Sequence, residues 1–162
     1  MTGRAVAPAA SRLDGRGLRI GIVASRYHEE IVERLLAAAR AHLLAAGVAP
    51  EAMTVVRVPG SFELPFAAAL LARTRTHDAV VCLGVLLRGE TAHFDLIAAA
   101  VAQGLTRVGL DEGIPVTFGV VTAETVAQAE ARAGGEHGNR GTDAAAAALE
   151  MALLRRALGP DR

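Results

Sequence analysis

Lysine is missing from this 162-residue sequence, in which all seventeen basic residues are arginine. A Schiff base to an enzyme-borne amine is therefore excluded, apart from the terminal amino group. Tryptophan is also missing, and aromatic residues make up only 3% of the chain. Cys82 is the only cysteine, so a disulfide within the chain is excluded. Its apolar setting, "AVVCLGV", favours a buried, inert thiol over a nucleophile.

The sequence also lacks long apolar runs and a net charge. No run approaches the roughly 20 residues that cross a bilayer, which argues against a membrane span. Seventeen acidic residues balance the arginines, and the longest basic cluster is Arg155-Arg156, so nucleic acid is not an expected partner. The amino-terminal "MTGRAVAPAASRLDGRG" holds too short an apolar patch for a signal-peptide core. We therefore expect a soluble, cytoplasmic protein.

The length fits one domain. We predict a flexible amino-terminal arm over residues 1–17 and a single domain over residues 18–158. Apolar segments typical of strands alternate with segments of helical periodicity. Strands are predicted over 18–25, 53–58, 78–85 and 115–121, and helices from Glu29 to Gly47, over 61–72, around 94–108, over 123–134 and over 142–158.

The third strand is apolar along its whole length, which indicates burial on both faces of a parallel sheet. Connections between parallel strands of one sheet are right-handed, so the alternation of strands and helices predicts a four-stranded parallel sheet with helices on both faces. This is a flavodoxin-like three-layer α/β/α sandwich of the α/β class. Ligands of such sheets bind beyond the carboxyl ends of the strands. Polar or aromatic groups cluster there in "SRYHEE", "PGSFE", "LLRGETAHF" and "VVTAET".

The turn "LLRGETAHFD" leads from the third strand into a helix. Gly89, Glu90 and Thr91 precede Phe94, so backbone N–H groups and the helix dipole are available to a phosphate, although ordinary capping turns have the same composition. His93 is a candidate proton shuttle because imidazole titrates near neutral pH. The alternative for His93 is a cap or packing role.

Other candidates have equally plain alternatives. Tyr27 either stacks on a flat heterocycle or covers the edge of the core. Ser61 is a plausible helix cap, and Glu63 either accepts hydrogen bonds from ligand hydroxyls or opposes the dipole of its own helix. "ARAGGEHGNRG" is either an anion clamp or a joint between two helices, and its composition favours the joint.

Together these segments resemble the 6,7-dimethyl-8-ribityllumazine synthase family. The resemblance is carried by "IGIVASRYHEEIVERLL", "VVRVPGSFELP", "DAVVCLGVLLRGETAHFD", "GIPVTFGVVT" and "ARAGGEHGNRGTDAAAAALEMA", which follow the family's order from Ile20 to Leu154. It implies condensation of 5-amino-6-(D-ribitylamino)uracil with 3,4-dihydroxy-2-butanone 4-phosphate, releasing phosphate and water. No cofactor and no metal are implied. The absence of lysine fits, since the attacking amine belongs to the pyrimidine substrate.

The resemblance also assigns roles to residues. Tyr27 would stack on the pyrimidine, Ser61 and Glu63 would hold the ribityl chain, and His93 would transfer protons during carbinolamine dehydration and phosphate elimination. Leu86 and Leu87 would frame the ring, and Gly89, Glu90 and Thr91 would contact the phosphate. The remaining substrate contacts expected within the same chain are Phe62 and Val85.

Three further residues are expected from an adjacent chain, namely Phe118, Arg132 and Arg140. Arg132 would be the main phosphate cation, through bidentate guanidinium contacts, while Arg88 is predicted to be structural. This sequence departs from the family's usual residues at Tyr27, Arg140 and Ser61, where phenylalanine or tryptophan, lysine and alanine are more familiar. The exact contact of Arg140 is left open by that difference.

The family further implies a homopentamer, and the short "GGEHGN" joint favours assembly of twelve pentamers into a 60-subunit shell. Two alternatives to an enzyme are a non-catalytic flavin or lumazine carrier and a shell protein that encloses cargo. A carrier needs neither a phosphate pocket nor a proton shuttle, so His93, Thr91 and Arg132 favour the enzyme.

Overall fold

The computed structural model describes residues 13–159. Its strands and helices alternate in the predicted order, and short 3₁₀ turns at Pro50–Ala52 and Ser61–Glu63 precede β2 and α2. The elements are β1 (Ile20–Ser25), α1 (Glu29–Ala45), β2 (Met53–Val58), α2 (Leu64–Arg73), β3 (Ala79–Leu87), α3 (His93–Glu112), β4 (Val116–Ala123), α4 (Val126–Ala131), β5 (Ala133–Gly135), β6 (Gly138–Asn139) and α5 (Arg140–Leu158).

The main sheet is four-stranded and parallel, in the order β2-β1-β3-β4. The predicted α/β fold and parallel sheet are thus confirmed. All six residues of β1 are buried, and so are the first seven of β3, because these two strands lie at the centre with helices on both faces. The edge strands β2 and β4 are only partly covered.

Side chains of β3 alternate between two cores. Val81, Leu83 and Val85 pack with α1, α4 and α5, whereas Val80 and Cys82 pack with α2 and α3. Each fully buried aliphatic side chain contributes about 1.5–3 kcal/mol through the hydrophobic effect. Burial raises the pKa of the Cys82 thiol far above its ordinary value, as the prediction of an inert thiol requires.

Three local features differ from the sequence-based expectations. The fourth helix begins later, at Val126, because the Thr125 hydroxyl accepts a hydrogen bond from the N–H of Gln128 at 3.2 Å and so caps it. The expected joint between the last two helices contains the antiparallel pair β5 and β6. Ser61 is not a helix cap, because its hydroxyl is buried against the sheet.

The end of the predicted arm lies against the domain. The N–H of Gly15 donates to the carbonyl of Ala46 at 2.7 Å, and Leu13 packs on the core beside α1 and α5. The rest of the predicted arm, residues 1–12, lies outside the described residues. Within residues 13–159, no helix combines the length and the apolar character that a membrane crossing demands.

Candidate active site

The carboxyl ends of β1 and β2 are joined by backbone hydrogen bonds. The N–H of Arg26 donates to the carbonyl of Val58 at 2.8 Å, and the N–H of Tyr27 donates to that of Pro59 at 3.1 Å. These bonds hold Tyr27 beside the "PGSFE" loop. The Tyr27 side chain is 71% exposed, and its ring meets the neighbouring His28 ring edge-on, with 5.9 Å between the centroids. Its ring face is therefore accessible to a planar ligand.

The loop between β2 and α2 is fixed from within. One carboxylate oxygen of Glu63 accepts a hydrogen bond from the N–H of Gly60 at 2.9 Å, which leaves the other oxygen to accept from a ligand hydroxyl. The Phe62 side chain is exposed next to it. Ser61 turns the other way: the residue is 3% exposed and its hydroxyl is buried, so the hydroxyl does not face the crevice.

Beneath this loop, two buried hydroxyls meet a glycine of β3. A Cβ atom at Gly84 would lie 2.5 Å from the Oγ of Ser61 and 3.2 Å from the Oγ of Ser25. Neither hydroxyl has a hydrogen-bond partner among residues 13–159. Glycine at position 84 is therefore what allows the loop to sit directly on the sheet.

The end of β3 forms the floor of the crevice. Val85 is buried, while Leu86 and Leu87 are half-buried and pair in register with Thr122 and Ala123 of β4. Since β3 neighbours β1, this floor adjoins the Tyr27 loop. The apolar side chains of Leu86 and Leu87 suit contact with the flat, apolar face of a heterocycle.

The turn after β3 leads into the longest helix of the described chain. His93 is the first residue of the 20-residue α3, and its N–H donates to the Oγ1 of Thr91 at 3.3 Å. Gly89, Glu90, Thr91 and His93 are all exposed. The first-turn N–H groups and the positive end of the helix dipole therefore face solvent at the same edge as Tyr27 and Glu63, which suits an anion.

Arg88 braces this turn. Its guanidinium donates to both carboxylate oxygens of Asp95, at 3.0 and 2.9 Å, and to Glu124 at 2.9 Å, and it lies 4.4 Å from the centroid of the Phe94 ring. The hydrogen bonds that Arg88 donates lower the pKa of Asp95. The same bonds to Asp95, and to a lesser extent the bond to Glu124, raise the pKa of Arg88. Arg88 is thus engaged within its own chain, in agreement with its predicted structural role.

Arg132 and Arg140 lie together but on the other face of the sheet. The N–H of Arg140 donates to the carbonyl of Arg132 at 2.9 Å, across the β5 and β6 pair. This hairpin is held by α1, because the Nε of Arg34 donates to the carbonyl of Ala133 at 3.0 Å and Asn139 donates to the carbonyl of Arg34 at 3.3 Å. Within residues 13–159, no hydrogen bond or ion pair joins either arginine to the turn at 89–93.

Phe118 is also remote from the crevice of its own chain. It pairs with Cys82 in the middle of β4, four residues before Thr122, which pairs with Leu86. At about 3.3 Å per residue, Phe118 lies roughly 13 Å down the strand from that level. Its side chain is 44% exposed on the sheet edge. One chain therefore assembles Tyr27, residues 61–63 and residues 85–93, but not Phe118, Arg132 or Arg140.

Three residues that shape this edge are not predicted by the sequence patterns. Asp95 completes the brace around Arg88, and Ser25 and Gly84 support the "PGSFE" loop from below. The signal for Gly84 was a glycine inside a strand of branched residues, which marks a close backbone or side-chain approach. Among the described residues, no three histidine, cysteine or carboxylate side chains are grouped as a metal site would require.

The chain is similar to known proteins of one family over most of its length. The 6,7-dimethyl-8-ribityllumazine synthase family matches residues 17–156. The 6,7-dimethyl-8-ribityllumazine synthase of Aquifex aeolicus is 50% identical over 147 residues, which cover 91% of this chain and 96% of that protein. The enzyme of the same name from Porphyromonas gingivalis is 49% identical over 142 residues, covering 88% of each chain.

Proposed function

This chain belongs to the 6,7-dimethyl-8-ribityllumazine synthase family, and we propose that it condenses 5-amino-6-(D-ribitylamino)uracil with 3,4-dihydroxy-2-butanone 4-phosphate. The products are 6,7-dimethyl-8-ribityllumazine, phosphate and water, and the enzyme is a transferase of riboflavin biosynthesis. The observation that carries the proposal is one edge of the sheet at which an exposed aromatic ring, a hydroxyl-accepting carboxylate and a helix amino terminus with histidine adjoin.

The pyrimidine would bind between Tyr27 and the Leu86-Leu87 floor. The ring of Tyr27 stacks on the heterocycle, and Val85 and Phe62 complete the apolar walls. The ribityl hydroxyls donate to the free carboxylate oxygen of Glu63 and accept from the backbone of the Ser61 loop. This positioning sets the substrate's own amine to attack the carbonyl carbon of the phosphate substrate.

The phosphate would bind at the start of α3. Gly89, Glu90 and Thr91 supply backbone N–H groups and a hydroxyl, and the helix dipole favours the anion. His93 is the first residue of that helix, so its imidazole lies beside the bound ester. It donates a proton to the departing hydroxyl of the carbinolamine and accepts one from carbon as phosphate leaves.

We further propose that each site is completed by a neighbouring copy in a homopentamer. Phe118, Arg132 and Arg140 lie away from the crevice of their own chain, and a neighbour would bring its guanidinium groups to the phosphate and its phenyl ring to the pyrimidine. Exposed apolar side chains offer the surface for such contacts: Phe62, Phe66, Leu70, Leu96, Leu110, Phe118 and Val126.

Product formation tests the activity directly. The full chain, incubated with both substrates, is expected to generate the absorbance of the lumazine product. The absence of product would contradict the proposed enzymatic activity and favour a carrier or shell protein. Mass in solution tests the assembly, because a pentamer and a 60-subunit shell differ about twelve-fold. A monomer would overturn the shared site. The cytoplasmic location stays a prediction.

A further inference from the structure

A second polar pocket lies at the opposite edge of the sheet from the candidate active site. It is formed just before β1 and β3 begin, by Gly17, Arg19, Arg75, Thr76, Asp78 and Arg156, around the buried His77, and its cavity volume is about 380 Å³. We name it the arginine pocket. Since substrates of open parallel sheets bind at the carboxyl ends of the strands, this pocket takes no part in the proposed reaction.

In the arginine pocket, nearly buried carboxylates lie beneath more exposed guanidinium groups. Asp78 accepts hydrogen bonds from the N–H of Arg19 at 2.8 Å and from the guanidinium of Arg156 at 3.2 Å. Glu112 pairs with Arg73 and Arg75 at its border. The two carboxylates are only 14% and 11% exposed, whereas Arg73, Arg75 and Arg156 are 47–65% exposed. Four guanidinium groups, counting Arg19, thus cover two carboxylates and present a net positive surface.

One guanidinium in the arginine pocket, that of Arg19, is not engaged by the part of the chain that the structure describes. Within residues 13–159, the Arg19 side chain has neither a hydrogen-bond nor an ion-pair partner, since only its backbone N–H contacts Asp78. Burial lowers the pKa of the adjacent His77, and the positive charge of Arg19 lowers it further, so the neutral imidazole is favoured and the positive charge of the pocket comes from the arginines. The Thr76 hydroxyl in the lining is engaged with the Thr74 hydroxyl at 2.9 Å and lies 3.3 Å from the Nδ1 of His77, so it adds no charge to the pocket.

The backbone holds Arg75 against its local preference. Arg75 has a φ of 58°, in the left-handed region that favours glycine or asparagine. Its guanidinium donates to the Glu112 carbonyl at 2.8 Å and to the Glu112 carboxylate at 3.2 Å. The surrounding contacts thus fix this cation at the pocket wall.

We propose that the arginine pocket binds a tetrahedral oxyanion of the phosphate class, either free inorganic phosphate or the terminal group of a small phosphate ester. Guanidinium groups bind such anions through paired, charge-assisted hydrogen bonds, and the pocket is lined by Arg19 from the loop before β1 and by Arg156 from α5. A cavity of this size accommodates the phosphate group with a few further atoms, which favours a small metabolite over a polymer.

Crystals of the full chain soaked in a concentration series of tungstate provide the test. Tungstate is a tetrahedral oxyanion whose anomalous scattering locates it independently of any anion at the other edge. We expect a peak within hydrogen-bonding distance of Arg19 and Arg156. Displacement of tungstate by inorganic phosphate identifies free phosphate as the ligand, whereas preferential displacement by glycerol 3-phosphate identifies an ester.

Arg19→Gln removes this cation without breaking an ion pair among residues 13–159, and Arg40→Gln removes a matched exposed arginine from α1. Arg19→Gln should weaken occupancy of the arginine pocket about tenfold, while Arg40→Gln leaves it unchanged. Both variants should form lumazine at the parent rate, so the result is independent of the proposed function. No peak in the parent, an equal peak in Arg19→Gln, or a protein segment filling the pocket would each overturn the proposal.

Discussion

The Oγ of Ser61 occupies the space directly above Gly84, 2.5 Å from where a Cβ atom would be. Gly84→Ala should therefore push the "PGSFE" loop outward, destabilising the protein by about 1–3 kcal/mol and raising the KM for the pyrimidine substrate several-fold. Thermal unfolding and steady-state kinetics measure the two effects. Ser61→Ala alone should change stability little, because that hydroxyl has no partner among residues 13–159.

The double variant Ser61→Ala/Gly84→Ala is the control for that explanation. Removing the hydroxyl makes room for the new methyl group, so the double variant should recover most of the stability and substrate affinity. If the double variant is as impaired as Gly84→Ala, the contact between residues 61 and 84 does not hold the loop.

His93→Ala should lower kcat by about 10²–10⁴-fold while leaving the KM for the pyrimidine largely unchanged, because the imidazole moves protons rather than holding the ring. His42→Ala, in the last turn of α1 and at the opposite edge of the sheet, is the matched control. Both variants are compared by initial rates of lumazine absorbance. Equal rates for His93→Ala and the parent would remove the histidine from the mechanism.

Arg132→Gln should raise the KM for the phosphate substrate by about tenfold or more, through loss of a charge-assisted contact worth about 1.5–3 kcal/mol. Co-assembly with His93→Ala tests whether the site is shared. In randomly mixed oligomers, roughly a quarter of the interfaces pair an intact His93 with an intact Arg132, so about a quarter of the parent activity should return. A mixture as inactive as its components would place both residues in one chain.

Acidification should destabilise the fold through His77. Burial, aided by the charge of Arg19, lowers the folded-state pKa of His77, so the unfolded chain binds more protons once the pH falls through the ordinary value of about 6.5. Tm should therefore fall between pH 7.5 and pH 5.5 at constant protein concentration. His77→Gln should reduce this fall, whereas His42→Gln should retain it. Identical pH dependence in all three proteins would exclude His77 as its source.

Cys82 should resist thiol reagents in the native protein. It is fully buried, and burial raises its thiol pKa, so little thiolate forms at neutral pH. Labelling with a maleimide should be negligible in buffer and rapid in denaturant. Labelling that is equally fast in both conditions would contradict the described packing of β3.

Sequence patterns located the elements better than they oriented the side chains. β2 spans Met53–Val58 as predicted, because its apolar run is bounded by clear turn residues. β1 begins two residues later than predicted, at Ile20, where pairing with both neighbouring strands starts. The inward turn of Ser61 escaped prediction because it depends on the absence of a side chain at Gly84, which is distant in sequence.

Part of the candidate site could likewise be predicted from the sequence, and part could not. Tyr27, Glu63 and the turn at 89–93 follow the carboxyl ends of adjacent parallel strands, so topology alone predicts that they share one edge. The hairpin that connects Arg132 and Arg140 could not be predicted from helical periodicity, because it rests on hydrogen bonds to α1, about 100 residues earlier in the chain. The proposed contributions of Phe118, Arg132 and Arg140 depend on a second chain, which no periodicity encodes.

The separation of the Arg132 and Arg140 hairpin from the turn at His93 has a kinetic consequence under the proposed shared site. An isolated protomer would contain two incomplete halves of different sites and no complete site. Specific activity would therefore fall when the protein is diluted below the dissociation constant of the assembly. An isolated, newly synthesised protomer would then catalyse no reaction. The reaction rate would rise more steeply than in proportion to the protein concentration until most protomers are assembled.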